Sequence, residues 1–136
     1  MTRSYRHYVV DFSGCDVALL GNPDRIEWTA RRACEAAGAT IVGECVTRFV
    51  PHGITVVLVL AESHLVVSTW PEHQQIMCDF LLCAEGLYSD RLLAELEAAF
   101  CGTSPAEIRY VERRFGAVDF PMVRENSADP EAHHLS

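Results

Sequence analysis

Apolar and polar positions divide the chain into short strand-like segments and two helix-like ones. Tyr5 to Phe12 alternates and carries Tyr and Val, the pattern of a half-buried strand. Asn22-Pro23 then marks a helix start, with Asn as N-cap, Pro at the first helical position and Asp24 in the first turn. Ile26, Ala30, Ala33, Cys34 and Ala37 follow at helical spacing and Gly38 supplies a stop, so a helix is predicted over Pro23–Ala37. Thr40 to Val50 reads as a strand broken by the Pro51-His52-Gly53 turn. Ile54 to Ala61 is an unbroken run of β-branched residues and Leu, long enough for a strand covered on both faces. His64 to Thr69, ended by Trp70-Pro71, and Gln75 to Cys83, followed by a Glu85-Gly86 turn, complete four consecutive strands that suggest an antiparallel meander. Ser89 and Asp90 open a second helix, whose Leu92, Leu93, Leu96, Ala99 and Phe100 share one face before Gly102 closes it. Ile108 to Arg114 is a final strand.

These elements predict an α+β two-layer sandwich: a mainly antiparallel sheet with two helices on one face. With 136 residues the chain suits one domain, here residues 1–118. From Asp119 onward it turns polar, with two prolines and a His133-His134 pair, and residues 119–136 read as a flexible tail. The Ile54–Ala61 run lacks polar alternation, so the uncovered face of the sheet stays partly apolar. A second copy of the chain would cover it, which predicts a homodimer with sheets packed face to face.

Composition narrows the partners. A formal net charge of −8 argues against nucleic acid, because phosphate binding needs a basic surface. The longest apolar run is far below the ~20 residues that span a bilayer. No basic segment followed by an apolar stretch opens the chain, so a soluble cytoplasmic protein without a membrane partner is expected. The six cysteines form no C-x-x-C pair and no zinc-type spacing. They read as reduced core thiols, with no metal.

Taken alone, Ser63-His64 at the junction of two strands reads as a pair of turn residues, and Cys83 as a core thiol. The longer string changes this. Glu62-Ser63-His64-Leu65 is followed by Thr69-Trp70-Pro71-Glu72, then by Asp79-Phe80 and Cys83, with Phe49-x-Pro51-x-Gly53 upstream. That order resembles the prokaryotic S-adenosylmethionine decarboxylase family, whose hallmark is E-S-H-L-x-x-H-T-W-P-E with a cysteine about twenty residues after the serine. The resemblance runs from roughly Tyr5 to Arg114.

It implies a proenzyme that cuts itself between Glu62 and Ser63, leaving pieces 1–62 and 63–136. The Ser63 hydroxyl would attack the Glu62 carbonyl, and elimination of the resulting ester would leave a covalent pyruvoyl group in place of Ser63. In such enzymes the pyruvoyl ketone forms a Schiff base with the substrate amine and serves as the electron sink for decarboxylation. Cys83 occupies the position of the acid that reprotonates the α-carbon; an ordinary thiol pKa of about 8.5 suits that role. By the same resemblance Phe49 and Trp70 would stack on adenine and Glu72 would hold the ribose hydroxyls. The implied substrate is S-adenosylmethionine and the product the aminopropyl donor for spermidine synthesis.

Several positions depart from the pattern. The family histidine five residues after the serine, associated with self-cleavage, is Ser68 here. G-V-S-G becomes Gly53-Ile54-Thr55-Val56, in which Thr55 keeps the hydroxyl associated with processing and Val56 would crowd the strand. The Tyr-rich stretch before Asp79 is replaced by 73–78, and Glu85 stands near Cys83. His52 and His73 read as surface residues. The altered loops support an alternative substrate, a basic amino acid such as arginine or ornithine. The Ser68 change supports another, an uncleaved and inactive paralogue that binds a nucleotide or a partner subunit.

Overall fold

Which side of a sheet is covered follows from the alternation of its strands, and here every central strand turns its larger apolar residues the same way. A computed structural model describes residues 3–83 and 88–116. Its elements are β1 (Arg3–Ser13), α1 (Val17–Leu20), α2 (Pro23–Ala36), β2 (Ile41–Arg48), β3 (Ile54–Leu60), β4 (Ser63–Trp70), β5 (Gln75–Leu82), α3 (Tyr88–Phe100) and β6 (Glu107–Phe115). The six strands form one antiparallel sheet in the order β2-β3-β4-β5-β1-β6. β2 to β5 are the predicted meander. β1 and β6 extend it beyond β5.

Ile54, Val56, Leu58 and Leu60 of β3, Leu65 and Val67 of β4, Ile76, Phe80 and Leu82 of β5, and Tyr8, Val10 and Phe12 of β1 point to one face. Onto it α2 lays Ile26, Ala30, Ala33 and Cys34, and α3 lays Leu92, Leu96 and Phe100. The predicted start of α2 is observed: the Asn22 side chain accepts from the Arg25 N–H at 3.1 Å, with Pro23 opening the helix. At its end Gly38 and Ala39 donate to the Glu35 and Cys34 carbonyls, a Schellman closure. Where β1 ends, Gly102 packs so tightly on the Gly14 backbone that an added Cβ would lie 2.3 Å from the Gly14 carbonyl oxygen. That contact ties the end of α3 to the end of β1.

Three expectations change. β3 is covered on one face only, because both long helices lie on that side; Val59 is 46% exposed on the other. The cysteines divide, with Cys15, Cys34 and Cys78 buried but Cys45 and Cys101 exposed. Burial pushes the Cys34 thiol up to about 12, so it stays protonated. Val56 points into the core, fully buried, and pairs with Val46 and Val67 in unbroken register, so it does not crowd the strand. α1 was not foreseen: four residues carry no periodicity, and only Asp16, which accepts from the Ala18 N–H at 3.0 Å, signals it. The Glu85-Gly86 turn, with Glu85 itself, and the 119–136 tail lie outside the described residues. Among the described residues, no helix is long and apolar enough to cross a membrane.

Phe80 is fully buried and stacks on Tyr8 with ring centroids 5.1 Å apart. Phe80→Ala is expected to lower the unfolding free energy by about 3–5 kcal/mol in chemical denaturation, the usual loss for a core Phe.

Candidate active site

The hairpin between β3 and β4 turns at Ala61-Glu62, and the ladder from β4 to β5 pairs Ser63 with Leu82. The next amide along, that of Cys83, donates to the Glu62 carbonyl at 2.7 Å. The Glu62 side chain is held as well, its Oε1 accepting from the Thr40 N–H at 3.0 Å. Ser63 itself has φ 147°, a conformation that L side chains seldom adopt and that costs of order 1–3 kcal/mol. The Glu62–Ser63 bond is therefore strained on one side, and its carbonyl is polarised by a fixed donor on the other.

Ser63 Oγ lies 3.1 Å from His64 Nδ1. His64 Nε2 lies 3.1 Å from Asp79 Oδ1, and the same oxygen takes His7 Nε2 at 2.5 Å. Arg113 Nη1 completes the row, 3.2 Å from His7 Nδ1. Partial burial raises the Asp79 carboxyl, but the two histidine hydrogen bonds outweigh it and hold the group below its ordinary value. Cys83 is half-buried; burial pushes its thiol up while the Arg113 charge pulls it down, and the net shift is upward. It is thus a protonated thiol at neutral pH, the form a proton donor needs.

The remaining sequence-predicted residues gather at the far end of β4. Phe49, His52, Gly53, Thr55, Ser68, Thr69, Trp70 and Glu72 line a cleft of about 280 Å³. Phe49 and Trp70 are 52% and 45% exposed, so they are not core residues. Gly53 (φ 104°) brings its backbone against Thr69, where a Cβ would sit 3.3 Å from the carbonyl oxygen. Thr55 and Ser68 face each other across β3 and β4, with their hydroxyls 2.9 Å apart. His52, expected to be a plain surface residue, is bonded to Glu72 at 2.6 Å.

Two groups thus form. Ser63, Glu62 and Cys83 meet at one end of β4, and Phe49, Thr55, Ser68, Trp70 and Glu72 meet at the other, seven residues or roughly 23 Å away. His7, Asp79 and Arg113 carried no assigned role in the sequence reading. Their signal is positional: His7 and Asp79 fall on outward-facing steps of β1 and β5, and the pairing that joins them is visible only in the folded sheet. A larger groove around Trp28, Arg25 and Arg32 lies on the helical side and contains none of the motif residues.

The fold has a solved counterpart. It matches the crystal structure of the adenosylmethionine decarboxylase from Aquifex aeolicus with a TM-score of 0.71 at 24% identity, covering 88% of this chain and 97% of that one. A family model described as S-adenosylmethionine decarboxylase matches residues 6–114. Similar sequences include the S-adenosylmethionine decarboxylase proenzyme of Fervidobacterium nodosum, 31% identical over 116 residues, or 85% of each chain. That of Thermotoga maritima is 32% identical over 116 residues, 85% of this chain and 89% of that one. The chain belongs to the S-adenosylmethionine decarboxylase family.

Because the folded state holds Asp79 below its ordinary value, the charged carboxylate stabilises the fold. That contribution is present above an unfolded value near 3.8 and is lost as pH falls through the lower folded value. Thermal melts of Asp79→Asn and the wild type should differ at pH 7 and converge as the pH falls below that range.

Proposed function

We propose that the chain cuts itself between Glu62 and Ser63 and then decarboxylates S-adenosylmethionine, yielding carbon dioxide and the aminopropyl donor for spermidine synthesis. The observation that carries this reading is the junction itself: a strained Ser63 whose hydroxyl reaches His64, and a Glu62 carbonyl already bonded to the Cys83 amide. Attack of Oγ on that carbonyl turns the amide into an ester and places negative charge on the oxygen. The Cys83 N–H is aimed there before the charge develops, the form of stabilisation worth most in catalysis.

The junction fits a pyruvoyl group made from Ser63, which when formed supplies the electron sink for loss of carbon dioxide. Cys83 sits beside the new chain end, and its raised thiol holds the proton that the substrate carbon must receive. Phe49 and Trp70 offer two exposed aromatic faces for adenine, and the sulfonium cation gains from the same rings. Glu72 accepts from the ribose hydroxyls once His52 releases it.

A site with its halves roughly 23 Å apart along β4 is completed by a second copy. The face opposite the helices carries Val57, Val59, Val66, Met77, Leu81 and Val9, an apolar surface that a partner would cover. A two-fold axis lying between the two faces and perpendicular to β4 sets equivalent strands antiparallel. The Ser63 end of one protomer then meets the Phe49–Glu72 end of the other. The proposed state is a homodimer with shared sites.

Release of labelled carbon dioxide from carboxyl-labelled S-adenosylmethionine tests the substrate. Release from arginine or ornithine instead, with agmatine or putrescine formed, would move the assignment to a basic amino acid. Glu72→Gln should lower kcat/KM about 10- to 100-fold, the ~1.5–3 kcal/mol of hydrogen bonds to a charged group. Mixing Ser63→Ala with Glu72→Gln protomers should raise activity above that of either variant alone. Absence of such rescue would mean that each protomer carries its own site.

A further inference from the structure

Five side chains on four neighbouring strands form one hydrogen-bonded row that starts at Ser63, and chemistry fixes the direction of every bond in it. Arg113 has donors only, so His7 Nδ1, 3.2 Å from Nη1, must be the acceptor. His7 then carries its proton on Nε2 and donates to Asp79 Oδ1 at 2.5 Å. An ionised carboxylate only accepts, so the His64 Nε2 that also meets this oxygen at 3.1 Å carries a proton too. What remains on His64 is the bare lone pair of Nδ1, and it faces Ser63 Oγ at 3.1 Å. The two imidazoles meet edge to face, with centroids 5.5 Å apart, which limits rotation of either ring.

We propose that His64 is the base that takes the Ser63 hydroxyl proton in self-cleavage, and that Asp79, His7 and Arg113 are positioning residues that keep it in the accepting tautomer. This rests on the reading of Glu62–Ser63 as the cleaved bond. The proton passes from Ser63 Oγ to His64 Nδ1 as the Oγ–C bond to Glu62 forms. When the C–N bond breaks, the imidazolium returns that proton to the leaving amine, and Asp79 steadies the transient cation. Ser68 cannot replace this group, because a hydroxyl is no base at neutral pH whereas an imidazole is. Its own hydroxyl is engaged with Thr55.

The ligand atoms of His7, His64 and Asp79 lie within 4.8 Å of one another, a spacing that would also suit a metal ion. A cation would need the Nε2 lone pair of both rings. That would move the His7 proton to Nδ1, against the Arg113 donor. The direction of the row favours proton transfer.

The test follows cleavage by intact mass in freshly synthesised full-length protein, beside melting curves. His64→Ala should slow cleavage by about 10²–10⁴-fold, the usual worth of a general base. Its uncut chain should resist hydroxylamine, because no ester has formed, and added imidazole should restore cutting. Asp79→Asn can donate to His64 Nε2 and so invert the tautomer; it should slow cleavage at least about tenfold on the same grounds. In Ser63→Ala protein, nitrogen NMR shifts should identify the Nε2–H tautomer of His64, and adding Asp79→Asn should move it toward Nδ1–H. If His64→Ala does not fold, these Asp79→Asn readouts decide alone. Cleavage of His64→Ala at the wild-type rate would overturn the proposal while leaving the cleavage site intact. So would an uncut His64→Ala chain that hydroxylamine splits, or wild-type cleavage that stops in EDTA. A wild-type chain that never cuts would overturn both this inference and the reading beneath it.

Discussion

Pairing between β4 and β5 is the constraint on which the chemistry depends. Its register sets Ser63 opposite Leu82, and the next amide closes on the Glu62 carbonyl. Inward-pointing Leu65 and Val67 on one strand, and Ile76, Phe80 and Leu82 on the other, hold that register. A slip of one residue would turn all of them onto the open face. Burial on the helical side thus aims the reactive groups on the other side. The strain at Ser63 persists for the same reason, since the ladder on both flanks leaves the residue no relaxed alternative.

The same one-sided burial accounts for the placement of the chemistry. With α2 and α3 on a single face, every outward step of β1, β3, β4 and β5 is free for function, and those steps carry His7, Asp79, Thr55, His64, Ser68 and Trp70. Apolar residues share that surface. A surface that is both apolar and chemically equipped suits the shared site proposed above, in which the separation of Ser63 from Trp70 along one strand would give a second protomer a task beyond stability.

Much of this was legible in the sequence. The meander, the Asn22-Pro23 helix start and the Gly38 stop rest on local rules, and each stands where it was read. The Glu62-Ser63-His64 and Trp70-Pro71-Glu72 strings named the two ends of β4. What stayed hidden depends on non-local pairing. His7 reaches Asp79 only because β1 inserts beside β5, and Arg113 reaches His7 only because β6 lies beyond β1. The His52 contact with Glu72 needs the turn before β3 to fold over the turn after β4. The split of the site was hidden too, because a strand's length in space, unlike a motif, has no signature of its own.

The departure at Ser68 bears most on whether the junction works, since an expected histidine is missing from a chain whose proposed role depends on cutting itself. The intact mass of purified wild-type protein under denaturing conditions addresses this directly. Self-cleavage at Glu62–Ser63 gives two pieces of roughly 7 and 8 kDa, in proportion to their residue numbers, the larger carrying a ketone that hydrazine reagents trap. A single species at 15.1 kDa that persists for days would contradict the account, and would turn attention to an uncut chain that binds a nucleotide or a partner subunit.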